Sequence, residues 1–287
     1  MISRLPSWFK QEIPKDISTI KNRLRSFENA RLNTVCQSAH CPNINHCFEH
    51  NSVTFMILGD ACSRNCGFCA VHKDRLYPLD LSEPYNLALA IQNLNLQYIV
   101  ITSVTRDDLP YGGATHYCRA VYAIRALNPG KKIELLIPDF KGSKSALLLV
   151  VKSQPDIIAH NLETVECLYS KIRPQARYNR SLKVLKNIKE IGFDGFTKSG
   201  IMLGFGECEE DVLKAIADLK DAHCDILTLG QYLAPSKAHA RVKEFIPLEK
   251  FEFYRQKALA LGFKAVFSGP LVRSSYRAQE VYAKITE

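Results

Sequence analysis

Seven short β-branched or apolar runs alternate with amphipathic stretches along most of this 287-residue chain, and that alternation narrows the fold more than any other feature. The runs cover 54–58, 98–102, 133–137, 157–161, 196–203, 226–232 and 265–268. Helical periodicity fills the gaps at 87–94, 116–127, 144–152, 164–172, 180–191, 211–223 and 250–261. Successive βα units require a parallel sheet, and right-handed crossovers of regular length curl it into a full or partial (β/α) barrel. An open doubly wound sheet is the second architecture compatible with the pattern. In either one, the working site lies at the C-terminal ends of the strands. Residues 1–53 and 270–287 fall outside the repeat; no Gly/Ser/Pro-rich linker sets them apart, so they read as extensions packed over a 54–269 barrel core.

Six of the ten cysteines lie between positions 36 and 69, in two triplets, Cys36-x4-Cys41-x5-Cys47 and Cys62-x3-Cys66-x2-Cys69. Structural zinc and iron–sulfur clusters normally take four protein ligands, so two sets of three point to centres that keep a position for something else. Clustering in one part of a strand–helix chain favours metal thiolates over disulfides. The second triplet follows the first barrel strand and therefore faces the barrel mouth. It leaves room for one uncovered iron; the competing readings are a zinc knuckle with a distant fourth ligand and a ferredoxin-type run, which uses a C-x2-C-x2-C spacing. For the first triplet the competing reading is three incidental thiols. Cys118, Cys167, Cys208 and Cys224 stand singly and read as small buried hydrophobes.

Charge and hydropathy exclude several classes of function. No apolar run approaches the ~20 residues that span a bilayer, and the opening MISRLPSWFKQEIP lacks the apolar stretch of a secretory signal, so a cytoplasmic protein without a membrane partner is expected. The net charge of +9 comes from dispersed residues, with no basic run of five and no aromatic-interleaved RNA-binding pattern. No nucleic-acid partner is expected, whereas an acidic protein partner would be steered well by this charge.

The CSRNCGFC loop, with Phe68 before its last cysteine, resembles the radical S-adenosylmethionine superfamily. That resemblance implies a [4Fe-4S] cluster on Cys62, Cys66 and Cys69 whose open iron is chelated by S-adenosylmethionine. Reductive cleavage then yields a 5′-deoxyadenosyl radical that abstracts hydrogen from an unactivated carbon. GIMLGFGE at 200–207 looks like the glycine-bearing strand that lines the adenosyl pocket. The stretch LNTVCQSAHCPNINHCFEHNSVTFMILGDACSRNCGFCAV, with VITSVTRDDLPYGGATH, IELLIPDF, HNLETV, TKSGIMLGFGE, GQYLAPS and VRSSYRA, resembles the lipoyl synthase family from about Arg4 to Ala278.

The family resemblance implies a second, auxiliary [4Fe-4S] cluster on Cys36, Cys41 and Cys47, completed by Ser275 of the Arg273-Ser274-Ser275-Tyr276 motif. A serine alkoxide is a hard partner for iron beside three soft thiolates, and its ready release would help open a cluster that is dismantled for sulfur. Ser275 can equally be read as a turn-capping serine. The implied reaction inserts two sulfur atoms at C6 and C8 of an octanoyl group amide-linked to a lysine of a lipoyl carrier domain, either a dehydrogenase E2 subunit or the glycine-cleavage H protein. Flavodoxin or ferredoxin would supply electrons. Phe68, Thr102, Ser103, Asn161, Glu163, Lys198 and Gly204 are the expected S-adenosylmethionine holders. Two departures from the family pattern are Phe48, where a tryptophan is usual, and Lys237-Ala238-His239-Ala240, in place of a more arginine-rich stretch. The alternative enzyme is a methylthiotransferase-like two-cluster enzyme, and the alternative outside enzymology is a basic metalloprotein that binds nucleic acid.

Overall fold

A computed structural model describes residues 5–11 and 17–286. Parts of the N-terminal extension, including Arg4 where the family resemblance starts, lie outside the described residues, as does the last residue of the C-terminal extension. The described N-terminal residues form α1 (Ile17–Asn29), β1 (Asn33–Thr34), α2 (Val35–Ser38) and α3 (Ile44–Glu49). Then come β2 (Thr54–Ile57), α4 (Glu83–Asn93), β3 (Tyr98–Ser103), α5 (Ala114–Leu127), β4 (Lys132–Leu136), α6 (Lys144–Lys152), β5 (Ile157–Ala159), α7 (Tyr169–Ile172) and α8 (Tyr178–Glu190). The chain continues through β6 (Phe196–Leu203), α9 (Glu209–Asp221), β7 (Ile226–Gln231), α10 (Leu248–Ala260), β8 (Ala265–Gly269) and α11 (Ala278–Thr286).

The strands lie side by side in chain order, β2 to β8 all parallel, with β1 antiparallel on the outer edge of β2. A doubly wound sheet would reverse its strand order partway, so that second architecture is excluded. Because β8 does not pair with β2 among the described residues, the sheet is a partial barrel. All seven expected strands form within one or two residues of their sequence-read limits.

Strand residues are buried on both faces, as a helix-covered parallel sheet demands. Outward residues such as Ile99, Ile101, Ile133 and Leu135 pack under α4, α5 and α6, and Ile201, Leu203, Leu227 and Leu229 under α9 and α10. Side-chain caps are few; at the start of α6, Ser143 Oγ accepts the Ala146 amide, a cap whose loss typically costs ~1 kcal/mol. At the N-terminal ends of the strands, α11 fills the barrel floor. Its Ala278, Val281 and Tyr282 join Tyr98, Ile157, Phe196, Ile226 and Ala265, each at the start of a strand.

Two of the four single cysteines match the expectation of burial, Cys118 and Cys224, and two do not. Cys167 and Cys208 are exposed, and both donate to the same Asp211 oxygen, at 3.3 and 3.1 Å. They sit on the short turn before α7 and at the N-cap of α9, where helical periodicity ends and no longer reports burial. Among the described residues no helix is long and apolar enough to cross a membrane.

Candidate functional site

The segment after β2 carries Cys62, Cys66 and Cys69 over the C-terminal ends of the strands, and it is pinned at nearly every residue. Leu58 takes a left-handed conformation, φ 73°, an unfavourable one for a γ-branched side chain. It is held there from both sides: its amide donates to Glu83 Oε2 at 2.9 Å, and its carbonyl accepts from Arg106 Nη1 at 3.1 Å. Ser63 then bonds Thr105 through amide and hydroxyl. Arg64, between two cysteines, forks onto Asp107 at 2.7 and 2.9 Å and reaches Asp139 Oδ1 at 2.6 Å. Asp139 also accepts from Arg180 Nε at 2.7 Å. Both Arg64 and Asp139 are buried, where charge-assisted forks are strong and exacting in geometry. Burial alone would raise the Asp139 carboxyl, but the Arg64 bond and charge outweigh it and hold the group well below the usual carboxylate range.

The far side of the loop is tied to later strand-end segments. The Gly67 amide donates to Ile172 O at 2.8 Å, its carbonyl accepts from Ala240 at 2.7 Å, and His239 Nε2 lies 3.2 Å from Cys69 O. Phe68 packs with Ile172, Phe205 and Tyr232, the last two stacked at 4.1 Å. Loss of solvent pushes the Cys69 thiol up to about 11 and raises Cys66 too, the latter opposed by the charge of Arg173.

Beneath this loop the structure gathers several of the expected cofactor holders. Thr102 faces the barrel interior and donates to Leu136 O at 3.1 Å. Asn161 is buried; its amide donates to Glu163 Oε1 at 3.1 Å while its Oδ1 has no partner. Gly200 makes room for it, since a Cβ there would press on Asn161 Oδ1 and Thr228 Oγ1. Glu163 adopts φ 70°, with its amide donating to Gly200 O and its carbonyl accepting from Met202. Its carboxyl is raised by desolvation, against the pull of Arg173 and Asn161. Gly204, at φ 105°, leaves space for Gln231 and the Glu244 carbonyl, and Glu207 accepts the Gly204 and Phe205 amides at 2.5 and 2.9 Å.

Two of the expected holders stand apart. Ser103, one residue past Thr102, turns to the helix layer beside Tyr117 of α5. Lys198 lies deeper in the barrel, fully buried, its Nζ 2.8 and 3.1 Å from the Glu134 carboxylate that also accepts from Tyr98.

Arg64, Asp107, Asp139 and Arg173 escaped the sequence reading. Their partners lie 43 and 75 residues away for Arg64, so no local spacing marks them. An arginine inside a C-x3-C loop was the available signal. Arg173 is buried, with Nη1 donating to Asn161 O, Leu162 O and the Tyr169 hydroxyl at 3.0, 3.2 and 2.6 Å. Tyr169 donates to Ser181 Oγ at 2.7 Å, and Ser181 meets His160 Nε2 at 3.0 Å. His160 Nδ1 lies 2.9 Å from Ile137 O, which can only accept, so Nδ1 carries the proton and Ser181 donates to Nε2.

The second cysteine group assembles outside the barrel, beside its open edge. Pairing of β1 with β2 brings Cys36 next to Thr54. Asn43, buried, donates to Leu271 O at 2.6 Å and so joins the N-terminal segment to the chain after β8. Cys36, Cys41 and Cys47 line one pocket with Thr54, Arg273, Ser275 and Tyr276. Desolvation drives the Cys36 thiol up to about 11 and the Cys47 thiol up to about 12. Val272 crosses Gly230 at the end of β7 so closely that a Cβ there would strike the Val272 carbonyl. Among the described residues no three such side chains meet at the spacing of a single bound ion. Three soft donors, with the Ser275 hydroxyl and those of Thr54 and Tyr276 beside them, are spread around a pocket wall, and that donor set fits an iron–sulfur cluster.

The radical SAM superfamily profile matches residues 56–219. The chain is 50% identical over 279 residues to the lipoyl synthase of Caldanaerobacter subterraneus subsp. tengcongensis, covering 97% of both chains. It is 52% identical over 278 residues to that of Geobacter metallireducens, covering 96% of this chain and 97% of the relative. With the lipoyl synthase of Alkaliphilus metalliredigens it shares 49% over 288 residues, 100% of this chain and 98% of the relative. Among solved structures, methylornithine synthase superposes with a TM-score of 0.57 at 14% identity, covering 93% of this chain and 88% of that one. Streptococcus suis SuiB bound to S-adenosylmethionine superposes with a TM-score of 0.58 at 13% identity, covering 90% and 57%. These two likenesses establish the fold.

Proposed function

The chain belongs to the lipoyl synthase family of radical SAM enzymes, and from that premise we propose how its two cysteine groups divide the work of inserting sulfur into a protein-bound octanoyl chain. The enzyme is a sulfurtransferase that uses S-adenosylmethionine and [4Fe-4S] chemistry. The finer reading is two clusters, one on Cys62, Cys66 and Cys69, the other on Cys36, Cys41, Cys47 and Ser275. When bound, S-adenosylmethionine on the first supplies hydrogen abstraction at C8 and C6, and the second supplies sulfur.

The chain's own residues orient and enclose. Phe68, Thr102, Asn161, Glu163 and Gly204 are the residues that would hold S-adenosylmethionine at the barrel mouth. Asn161 Oδ1 offers a fixed acceptor, and Glu163, stripped of solvent, another. Phe205 and Tyr232 give an apolar wall that excludes water from a reactive carbon centre. Lys198 and Glu134 stiffen the floor as a buried, mutually satisfied pair, and Ser103 faces α5 beside Tyr117. The barrel core is 54–269, and the extensions 1–53 and 270–287 build the auxiliary pocket. The carrier domain is a dehydrogenase E2 or a glycine-cleavage H protein, docking near Lys237, His239 and Arg241; flavodoxin or ferredoxin reduces the enzyme in the cytoplasm.

One observation carries this reading: Ser275 shares a pocket with Cys36, Cys41 and Cys47, although the chain between them makes the whole barrel. The test is anaerobic incubation of the reconstituted protein with an octanoylated carrier peptide, dithionite and S-adenosylmethionine. Mass spectrometry should find two sulfurs added to the peptide. A preparation that cleaves S-adenosylmethionine yet leaves the octanoyl chain intact would exclude the assignment, as would one that binds one or two zinc ions in place of iron.

A further inference from the structure

We propose that Arg173 sets the reduction potential of the cluster held by Cys62, Cys66 and Cys69; this rests on the assignment of those three cysteines as cluster ligands. The backbone places it there. The Gly67 amide donates to Ile172 O at 2.8 Å, so the peptide following Cys66 is joined directly to the peptide preceding Arg173. The guanidinium is buried, and the Cys66 sulfur lies within reach of its charge.

Hydrogen bonding alone does not account for the residue. Nη1 serves three acceptors, while Nε is buried with no partner among the described residues. A buried donor left unmatched costs ~1–3 kcal/mol, a cost that a cluster sulfur accepting from it would remove. Nor is the charge cancelled, since among the described residues no carboxylate lies within ion-pair distance of Arg173. Glu163 acts on it only at longer range. A fixed cation in a low-dielectric wall favours whichever cluster state carries more negative charge, which is the reduced one. The Tyr169–Ser181–His160 chain, anchored on Ile137 O, holds the guanidinium in one orientation.

The test uses full-length, anaerobically reconstituted protein carrying Cys36→Ala, Cys41→Ala and Cys47→Ala, so that one cluster reports. Its midpoint potential is followed by electron paramagnetic resonance without S-adenosylmethionine, with Arg173, Arg173→Lys and Arg173→Gln. The potential should move negative in Arg173→Gln, leaving about a tenth or less of the cluster reduced at the unsubstituted midpoint. Arg173→Lys, which keeps the charge, should hold the potential close to that of the unsubstituted protein. An unchanged midpoint in Arg173→Gln overturns the proposal, and weakened S-adenosylmethionine binding with that unchanged midpoint reassigns Arg173 to the cofactor carboxylate. Equal shifts in both variants, with an equal fall in Tm, overturn it in favour of a purely structural role. A one-cluster background that binds no iron removes the ligand assignment itself.

Discussion

The two cysteine groups are built by opposite means. The loop of Cys62 to Cys69 is one short segment locked onto a rigid rim, by Arg64 to Asp107 and Asp139, by Leu58 to Glu83 and Arg106, and by Gly67 to Ile172 and Ala240. The pocket of Cys36, Cys41 and Cys47 is assembled from two ends of the chain instead. It is closed by a segment that arrives from the other end of the barrel, with Asn43 bonded to Leu271 and His46 against Tyr276 across the seam. A centre that must keep the same geometry through every cycle gains from a preorganised seat. One that gives up its sulfur gains from walls that can part, and a serine among its donors suits that use.

The comparison breaks most decisively at the cysteines themselves. Replacing Cys62, Cys66 or Cys69 by Ala should abolish both 5′-deoxyadenosine formation and sulfur insertion. Replacing Cys36, Cys41 or Cys47 should leave deoxyadenosine and abolish sulfur insertion. Chromatography of the nucleoside beside mass spectrometry of the peptide reads both, and identical behaviour of the two groups would end the division of labour.

Next in size is Arg64→Ala, which leaves Asp139 buried with only part of its compensation. A loss of about 3–5 kcal/mol is expected from denaturant unfolding, together with iron missing from the mouth loop alone. Arg64→Lys cannot fork onto Asp107 and should recover only part of it. Full stability in Arg64→Ala would show that the clamp is dispensable.

Acid should strike the mouth before the seam. Burial first, then the Arg173 charge, pushes His160 down to about 4 from 6.5. The unfolded chain therefore binds this proton first, and the stability it lends at neutral pH is lost as pH falls from about 6.5 towards 4, on the order of 2–3 kcal/mol. Asp139, held below its usual range, extends the loss under pH 4 by the same sign. A pH series of unfolding curves in which His160→Gln removes the first step supports this; an unaltered profile refutes it. The smallest effect is at the seam: Asn43→Ala should cost ~1–2 kcal/mol and lower iron towards four per chain, with S-adenosylmethionine cleavage intact. Loss of cleavage in that variant would mean that the two regions are not independent.

Strand positions, most helices of the barrel and the placement of one cysteine loop at the mouth were legible in sequence, because short continuous apolar runs mark strands buried on both faces and a period of 3.6 marks the helices that cover them; strand order was settled by the structure. The partnership of Cys36, Cys41 and Cys47 with Ser275 was legible only through resemblance to relatives. No residue near Ser275 hints at a partner more than two hundred positions earlier. The short helices around Cys36 and Cys47 and the two-residue β1 were not read, since four- and six-residue helices carry too few turns for a period to show; α1 and the floor helix α11 lie in the extensions, outside the repeat that guided the reading. Polar positions fared unevenly for a geometric reason. Thr102 and Ser103 are adjacent, so a strand's alternation sends one inward and the other to the helices. Lys198 looked available, but its charge is taken up by Glu134, 64 residues earlier.

On its way from β8 to the barrel floor the chain passes the auxiliary pocket, leaving Arg273, Ser275 and Tyr276 in its wall. A ribosome releases Asn43 first, and Leu271, its partner, 228 residues later. Throughout that interval the three early thiols lack the wall of Arg273, Ser275 and Tyr276, whereas the mouth loop has met Arg180, Ala240 and the strand ends it rests on. On the proposed two-cluster reading, loading of the sulfur-giving cluster is a late event in the life of each molecule, open only after the last strand has been made.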